Sequence, residues 1–181
     1  MTAADRCAYV VGDDGMARLH GPQADAWAGL QRAHRELTRG LEATLDERYG
    51  LSLSALELLG RLAAADERRR RLSRLADDVG LSLSRVSRIV DALERRGLVE
   101  RRPCPEDTRA TNACLTDAGL ELVREAQVAH LDDVQVRFLD RLSPSELRTL
   151  GRVFDRLGKP LTPRRRAHRP RAERGDGGSR P

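Results

Sequence analysis

Four polar side chains within five consecutive residues could contact DNA: Ser84, Arg85, Ser87 and Arg88. Apolar residues repeat at helical spacing through and after this segment, and they predict an amphipathic helix that presents the serines and arginines on its solvent face. The apolar residues are Val86, Ile89, Val90 and Leu93. Arginine pairs with guanine edges and with phosphates, and serine bonds either group. The face is therefore typical of a helix that reads the major groove.

Both ends of this helix are specified by the sequence. Ser82 is placed to accept a hydrogen bond from a free backbone N–H at the start, and Gly97 stands where a left-handed residue ends a helix. An apolar pattern near residues 73–79 predicts a preceding helix, and Gly80 permits a sharp turn between the two. The segment is therefore predicted to be a helix-turn-helix.

Two short strands are predicted directly after it, over residues 98–102 and 110–115. Prolines and Asp107 between them indicate a turn, so the strands form a hairpin, or wing. The loop contains Asp107-Thr108-Arg109. An arginine at the tip of a wing can enter the minor groove, and a nearby carboxylate can hold its rotamer.

These segments together resemble the MarR family of bacterial transcriptional regulators. The similar stretches are residues 75–101, the wing residues Asp107-Thr108-Arg109, and residues 115–119, with the sequence Leu-Thr-Asp-Ala-Gly. The winged helix-turn-helix is called the head below. The resemblance extends over residues 22–158, because one long helix is predicted before the head and two after it. It implies a winged helix-turn-helix at 52–115, with flanking helices 22–49 and 116–158 forming a dimerisation domain. It also implies that Arg109 enters the minor groove and that Asp107 orients it.

The fold class predicted from the patterns is mainly α with a small β-hairpin wing. Residues 23–49 and 53–65 show helical periodicity, and the second helix would open at Ser52 or Ser54. Thr116 is placed to cap a long helix, and residues 143–146 form a capping box that starts the last one. The apolar face of the helix after Thr116 is predicted to contain Leu120, Val123, His130, Leu131, Val134 and Phe138. Such stripes would lie in water in an isolated subunit, so we expect a twofold homodimer.

The two termini give less definite patterns. Residues 1–21 form an N-terminal arm in which two apolar segments flank Gly12-Asp13-Asp14-Gly15, and they either close a small hairpin or remain a mobile arm, with a partly ordered arm favoured. Residues 159–181 are basic and without apolar periodicity, which predicts a disordered tail that adds DNA affinity without sequence preference or is simply solvated.

Charge and composition narrow the class of protein. The net charge is +5, and residues 68–109 alone carry +5, so positive charge is concentrated in the segment predicted to meet phosphates. No run of about 18 apolar residues predicts a membrane span, and no apolar signal-peptide core is found at the N-terminus. Three cysteines without ligand or disulfide spacing predict a reduced cytoplasm, no metal and no cofactor. No catalytic motif is found, so an enzyme is not expected.

Three further groups of residues have other interpretations. Arg101 is a candidate for phosphate contact. In the resembled family, small aromatic molecules bind between the dimer helices and the head; the corresponding side chains here would be Trp27, Leu30, His34, Leu56 and Leu59. Core packing explains the same residues. Cys104 is predicted to be exposed in the wing beside Arg101, where a cationic environment favours a redox-reactive thiolate.

The function predicted from the sequence is that of a sequence-specific regulator, a repressor rather than an activator, which binds a pseudo-palindromic operator as a homodimer. A small-molecule effector would release it. Two other hypotheses remain: a redox sensor acting through Cys104, and a winged-helix interaction module without sequence preference.

Overall fold

A computed structural model describes residues 9–104 and 107–158, with the backbone alone at 107–109. The elements follow in the order β1 (Tyr9–Val11), β2 (Ala17–Leu19), α1 (Gly21–Tyr49), α2 (Leu53–Ala63), β3 (Arg69–Arg71), α3 (Leu72–Val79), α4 (Leu83–Arg95), β4 (Val99–Cys104), β5 (Asp107–Leu115), α5 (Asp117–Arg137) and α6 (Pro144–Gly158). The mainly α fold with a small wing is confirmed. The chain divides into two compact units, one up to residue 141 and one from residue 142.

The core of the first unit lies where α2, α3 and α4 meet. Its fully buried side chains come from all three helices: Leu58, Leu59, Leu62, Leu75, Val86 and Val90. The stripe predicted for the recognition helix therefore packs as expected, with Leu93 buried and Ile89 half-buried beside it. The same cluster also includes Leu45 of α1, Val99 of β4 and Val123 of α5, so the position of α4 depends on contacts from outside these three helices as well.

The helix ends have the predicted caps. The Ser52 Oγ accepts from the backbone N of Ala55 (3.1 Å), so Ser52 and not Ser54 opens α2. The Ser82 Oγ accepts from the backbone N of Arg85 (3.3 Å) at the start of α4. Gly80 adopts the left-handed region with φ 64°, which makes the sharp turn between α3 and α4.

The wing belongs to a three-stranded antiparallel sheet in the order β3-β5-β4. Strands were predicted at 98–102 and 110–115, and the observed β4 and β5 extend further towards the turn. β3 was not predicted, because its three arginines show no apolar alternation. Its strand conformation comes from pairing with residues 112–114 of β5. Glu67 and Arg68 lead into it with φ 51°, a conformation uncommon for residues other than glycine.

α5 begins against the base of the wing. The Thr116 Oγ1 accepts from the backbone N of Gly119 (3.0 Å) and donates to the carbonyl of Gly97 (2.8 Å), which confirms Thr116 as the cap. A Cβ on Gly119 would lie 2.1 Å from the Leu98 carbonyl oxygen, so only glycine fits there. The sequence LTDAG therefore forms the junction between the wing and the long helix.

The buried face of α5 differs in part from the prediction. Leu131, predicted on the apolar stripe, is 57% exposed, whereas the buried positions are Gly119, Val123, Ala126 and Ala129. Packing of α5 against α1 and α2 explains this, because small residues allow helices to approach closely. Val128, Leu131 and Val136 are exposed, whereas Leu120 and Leu122 are half-buried and pack against the core.

Residues 9–19 form an antiparallel hairpin, the first of the two alternatives for the arm. The turn is specified by Asp14, whose side chain accepts from the backbone N of Met16 (3.0 Å) and pairs with Arg18. This pairing with Arg18, reinforced by the Met16 hydrogen bond, lowers the pKa of Asp14 to about 2. Residues 1–8, which include Cys7, and the predicted basic tail at 159–181 lie outside the described residues.

The second unit contains α6, which starts with the predicted capping box. The Ser143 backbone N donates to the Glu146 Oε2 (2.8 Å), and the Glu146 backbone N donates to the Ser143 Oγ (3.4 Å). Among the described residues, no helix is long and apolar enough to cross a membrane.

Candidate nucleic-acid interface

The recognition helix α4 has one face in the core and one face in solvent. Val86 and Val90 are fully buried, while Ser84, Arg85 and Arg88 are exposed. The Arg88 Nε donates to the carbonyl of Ser84 at 3.4 Å, a weak contact that leaves the guanidinium available to an external partner. Three of the four predicted residues on this helix therefore form one accessible polar face.

Ser87 is half-buried and is held by Arg101, which the sequence predicted as a phosphate contact. The Arg101 Nη2 donates to both the carbonyl oxygen and the Oγ of Ser87, each at 2.9 Å. Its Nη1 lies 2.6 Å from the Asp91 Oδ1, and its side chain is 28% exposed. The guanidinium thus points towards α4 and is engaged within the protein.

Cys104 is buried, contrary to the exposed position predicted for it. It is 7% exposed, and Arg71 Nη2 donates to its Sγ at 3.4 Å. The register of β4 shifts between Pro103 and Cys104, so the alternation of inward and outward side chains reverses there. Pro103 consequently lies outside and Cys104 inside.

Asp107 and Arg109, predicted at the tip of the wing, lie in β5 by their backbone. Their side chains are outside the described residues. Their predicted roles in the minor groove therefore remain predictions.

One arginine important for the head was not predicted. Arg96, at the end of α4, donates to the carbonyls of Gly50 and Tyr49, each at 2.7 Å. These carbonyls end α1, where a helix carries partial negative charge. Arg96 therefore ties α4 to the long helix, a contact between residues far apart in sequence that no local pattern indicates.

The five residues predicted for an effector pocket have different surroundings in the described part of the chain. Trp27 and Leu30 are exposed on α1, and Leu59 is fully buried in the core. His34 lines a cavity of about 590 Å³ between α1 and the start of α2. Leu56 lines another of about 760 Å³ between α2 and α5, together with His130.

No cluster of three or more residues suited to hold a metal ion occurs among the described residues.

Cys114 is buried in β5, and this burial raises the pKa of its thiol. A raised pKa disfavours the reactive thiolate.

A three-helix head that exposes one helix beside a β-hairpin defines a winged helix-turn-helix protein. Residues 51–111 match the model of the MarR family. The DNA complex of Sco3205, a MarR family transcriptional regulator from Streptomyces coelicolor, is similar with a TM-score of 0.75 and 32% identity, covering 83% of this chain and 94% of that one. The chain therefore belongs to the MarR family of transcriptional regulators.

Two other proteins are similar over most of the described region. AbsC, a MarR family transcriptional regulator from Streptomyces coelicolor, has a TM-score of 0.72 and 32% identity, covering 78% of this chain and 95% of that one. The HTH-type transcriptional regulator YdgJ of Bacillus subtilis is 37% identical over 108 residues, which is 60% of this chain and 64% of YdgJ. The chain thus spans less than two thirds of YdgJ.

Proposed function

We propose that this chain represses transcription by binding a pseudo-palindromic operator as a homodimer. The observation that carries the proposal is the division of α4 into a buried apolar face and an exposed face with Ser84, Arg85 and Arg88. The similarity to Sco3205, which was crystallised with DNA, supports it. A twofold dimer would place two such helices in successive major grooves, so the half-sites should lie about 10 bp apart.

The residues have distinct proposed roles. Arg85, near the start of α4, would bind guanine, and Arg88, about one turn later, would bind guanine or phosphate. Ser84 would bond a phosphate or a base edge. Arg109 would enter the minor groove with Asp107 as its orienting carboxylate, as in the family. Ser87 and Arg101 are engaged with each other, so we assign them to positioning.

The experiment is selection of bound duplexes from random DNA by the full-length protein, followed by affinity measurements on the selected and a scrambled duplex at ~0.15 M salt. Because a bidentate arginine–guanine pair contributes about 1–3 kcal/mol of discrimination, Arg85→Ala should lower the preference roughly 5- to 150-fold. Arg124→Ala, an exposed arginine of α5, is the matched control. Equal affinity of the wild type for both duplexes would instead favour the interaction module without sequence preference.

The proposed dimer rests on apolar side chains that the single chain leaves in water. On α1 and α5 these are Trp27, Leu30, Val128, Leu131 and Val136. Phe154 and Leu157 on α6 are also exposed. Burying ~1,000 Å² of such surface contributes roughly 25 kcal/mol before the costs of association. Contact with a second copy would provide that burial.

Release by a small aromatic effector is a second proposal, supported by the cavity between α2 and α5. Its volume of about 760 Å³ suits a small ligand, and the Nδ1 of His130, one of its lining residues, is buried without a hydrogen-bond partner among the described residues. Leu56 supplies part of the apolar lining. Aromatic carboxylates should then weaken operator binding. A panel of them that leaves operator binding unchanged would contradict this proposal.

The redox alternative requires an oxidant to reach Cys104. Its burial disfavours this route, because reactive cysteines are accessible thiolates. Operator binding before and after mild peroxide treatment, compared between wild type and Cys104→Ser, distinguishes the two hypotheses. A peroxide response that Cys104→Ser abolishes would favour the redox sensor.

A further inference from the structure

We infer that Arg101 is a positioning residue that joins the wing and the recognition helix into one reading unit. It lies in β4, at the base of the wing. It contacts residues on three successive turns of α4: Ser87, Asp91 and Glu94. This inference rests on the proposed reading of operator DNA. It assigns Arg101 a role other than the phosphate contact that its position in the sequence predicts.

The geometry requires a guanidinium. One terminal nitrogen bonds the carbonyl and hydroxyl oxygens of Ser87, and the other pairs with Asp91 at 2.6 Å. A planar fork can hold two such directions at once, whereas a lysine ammonium is a point charge on a flexible stem. Arg101→Lys therefore keeps the charge but loses the bridge.

The backbone of Arg101 is held by the same helix. Its N–H donates to the Glu94 Oε1 at 2.8 Å, so both the strand and the side chain are fixed to α4. The Nε is buried and has no hydrogen-bond partner in the described part of the chain, with the Glu94 Oε2 3.8 Å away. With its donors directed at α4, the side chain sets the distance between the wing and the exposed face of that helix.

The position of Ser87 gives the contact a consequence for DNA recognition. Ser87 lies between the exposed residues Arg85 and Arg88, so fixing it fixes the rotation of the helix face that carries both. The wing extends away from Arg101, the residue that holds Ser87. Loss of the bridge should therefore reduce preference for the operator more than affinity for DNA in general.

The test compares Arg101→Lys, Arg101→Met and wild type on a duplex selected by the wild-type protein and on its scrambled counterpart, across salt concentrations. Arg102→Lys is the matched control, since Arg102 follows in the same strand and its exposed guanidinium pairs with Glu100. We expect both Arg101 variants to lower the preference about 10-fold, with an unchanged salt slope for lysine, and Arg102→Lys to remain near wild type.

Other outcomes overturn the inference. If Arg101→Lys behaves as wild type while Arg101→Met binds both duplexes more weakly with a smaller salt slope, Arg101 is a phosphate contact. If an Arg101 variant fails to fold, Ser87→Ala removes the hydroxyl contact of the bridge and Asp91→Asn removes its ion pair, and unchanged preference in both would also exclude the role. A wild type that selects no sequence would instead refute the proposed function.

Discussion

The reading head and the long helices α1 and α5 use their apolar residues in opposite ways. In the head, the leucines and valines of α2, α3 and α4 that the sequence places on one face are buried against one another. In α1, a helix of 29 residues, Leu45 is the buried residue, and Trp27 and Leu30 are exposed. Helical periodicity is present in both regions. It identifies an apolar face, but it does not identify what covers that face.

The largest effect should come from the head. Leu58→Ala removes a fully buried side chain and leaves a cavity, so it should lower the free energy of unfolding by about 2–5 kcal/mol. Val128→Ala, at a 62% exposed position of α5, is the matched control and should change subunit stability by less than about 0.5 kcal/mol. Urea unfolding at low protein concentration measures both.

A second substitution at Val128, to glutamate, tests what covers the long helices. Sedimentation equilibrium should show weaker self-association for Val128→Glu, because a charge at an apolar contact is costly to bury. A wild-type monomer at all concentrations, or a dimer that Val128→Glu does not weaken, would contradict the role proposed for this face.

A second prediction concerns the junction between the two regions. Gly119→Ala would bring a Cβ to 2.1 Å from the Leu98 carbonyl oxygen and 2.7 Å from the Leu115 Cδ1, so the start of α5 must move. We expect destabilisation of about 3 kcal/mol, at the upper end of the usual cost of overpacking. Gly60→Ala in α2 is the control: apart from its own stretch of helix, no described residue comes within 4 Å of its added Cβ. It should stabilise the protein by about 0.5–1 kcal/mol, and thermal unfolding of both variants checks this pair.

A smaller effect is expected at the cap of α5. Thr116→Ala loses the hydrogen bonds to Gly119 and Gly97 and should cost about 1–2 kcal/mol. Thr116→Ser keeps the hydroxyl and should retain most of the stability. Equal losses in the two variants, measured by denaturant unfolding, would show that the methyl group and not the cap is responsible.

The sequence was sufficient where local chemistry determines structure. Ser52 or Ser54, Ser82 and Thr116 were predicted as caps from residue type and position, and the helices of the head followed from periodicity. What could not be predicted depends on residues far apart in sequence. β3 is a strand because β5 pairs with it, and Arg96 is recognisable only when α1 ends beside it.

The candidate interface shows the same division. The exposed face of α4 was predictable, since the apolar stripe determines which side remains in solvent. The environments of Arg101 and Cys104 were not, because a residue's place in a strand does not reveal which side chains face it. A single register shift in β4 placed Cys104 inside. The sequence predicted Arg101 as a phosphate contact and Cys104 as exposed, although both side chains are packed in the fold.

The smallest predicted effect concerns the start of α6. It tests whether the capping box of Ser143 and Glu146 alone determines where this helix begins. The hydroxyl and the backbone N–H of Ser143 donate to the Glu146 carboxylate, and these hydrogen bonds hold its pKa below the ordinary value of 4.5. Because the pKa is lower in the folded state, the capping box is at full strength above pH 4.5 and is lost as the pH falls through the folded pKa. The first turn of α6 should therefore fray in acid, which NMR shifts of the Ser143 amide would report. Glu146→Gln keeps a neutral partner in the box and should remove this dependence. Identical acid fraying in the Gln variant would show that the helix start is determined by something other than this local pair.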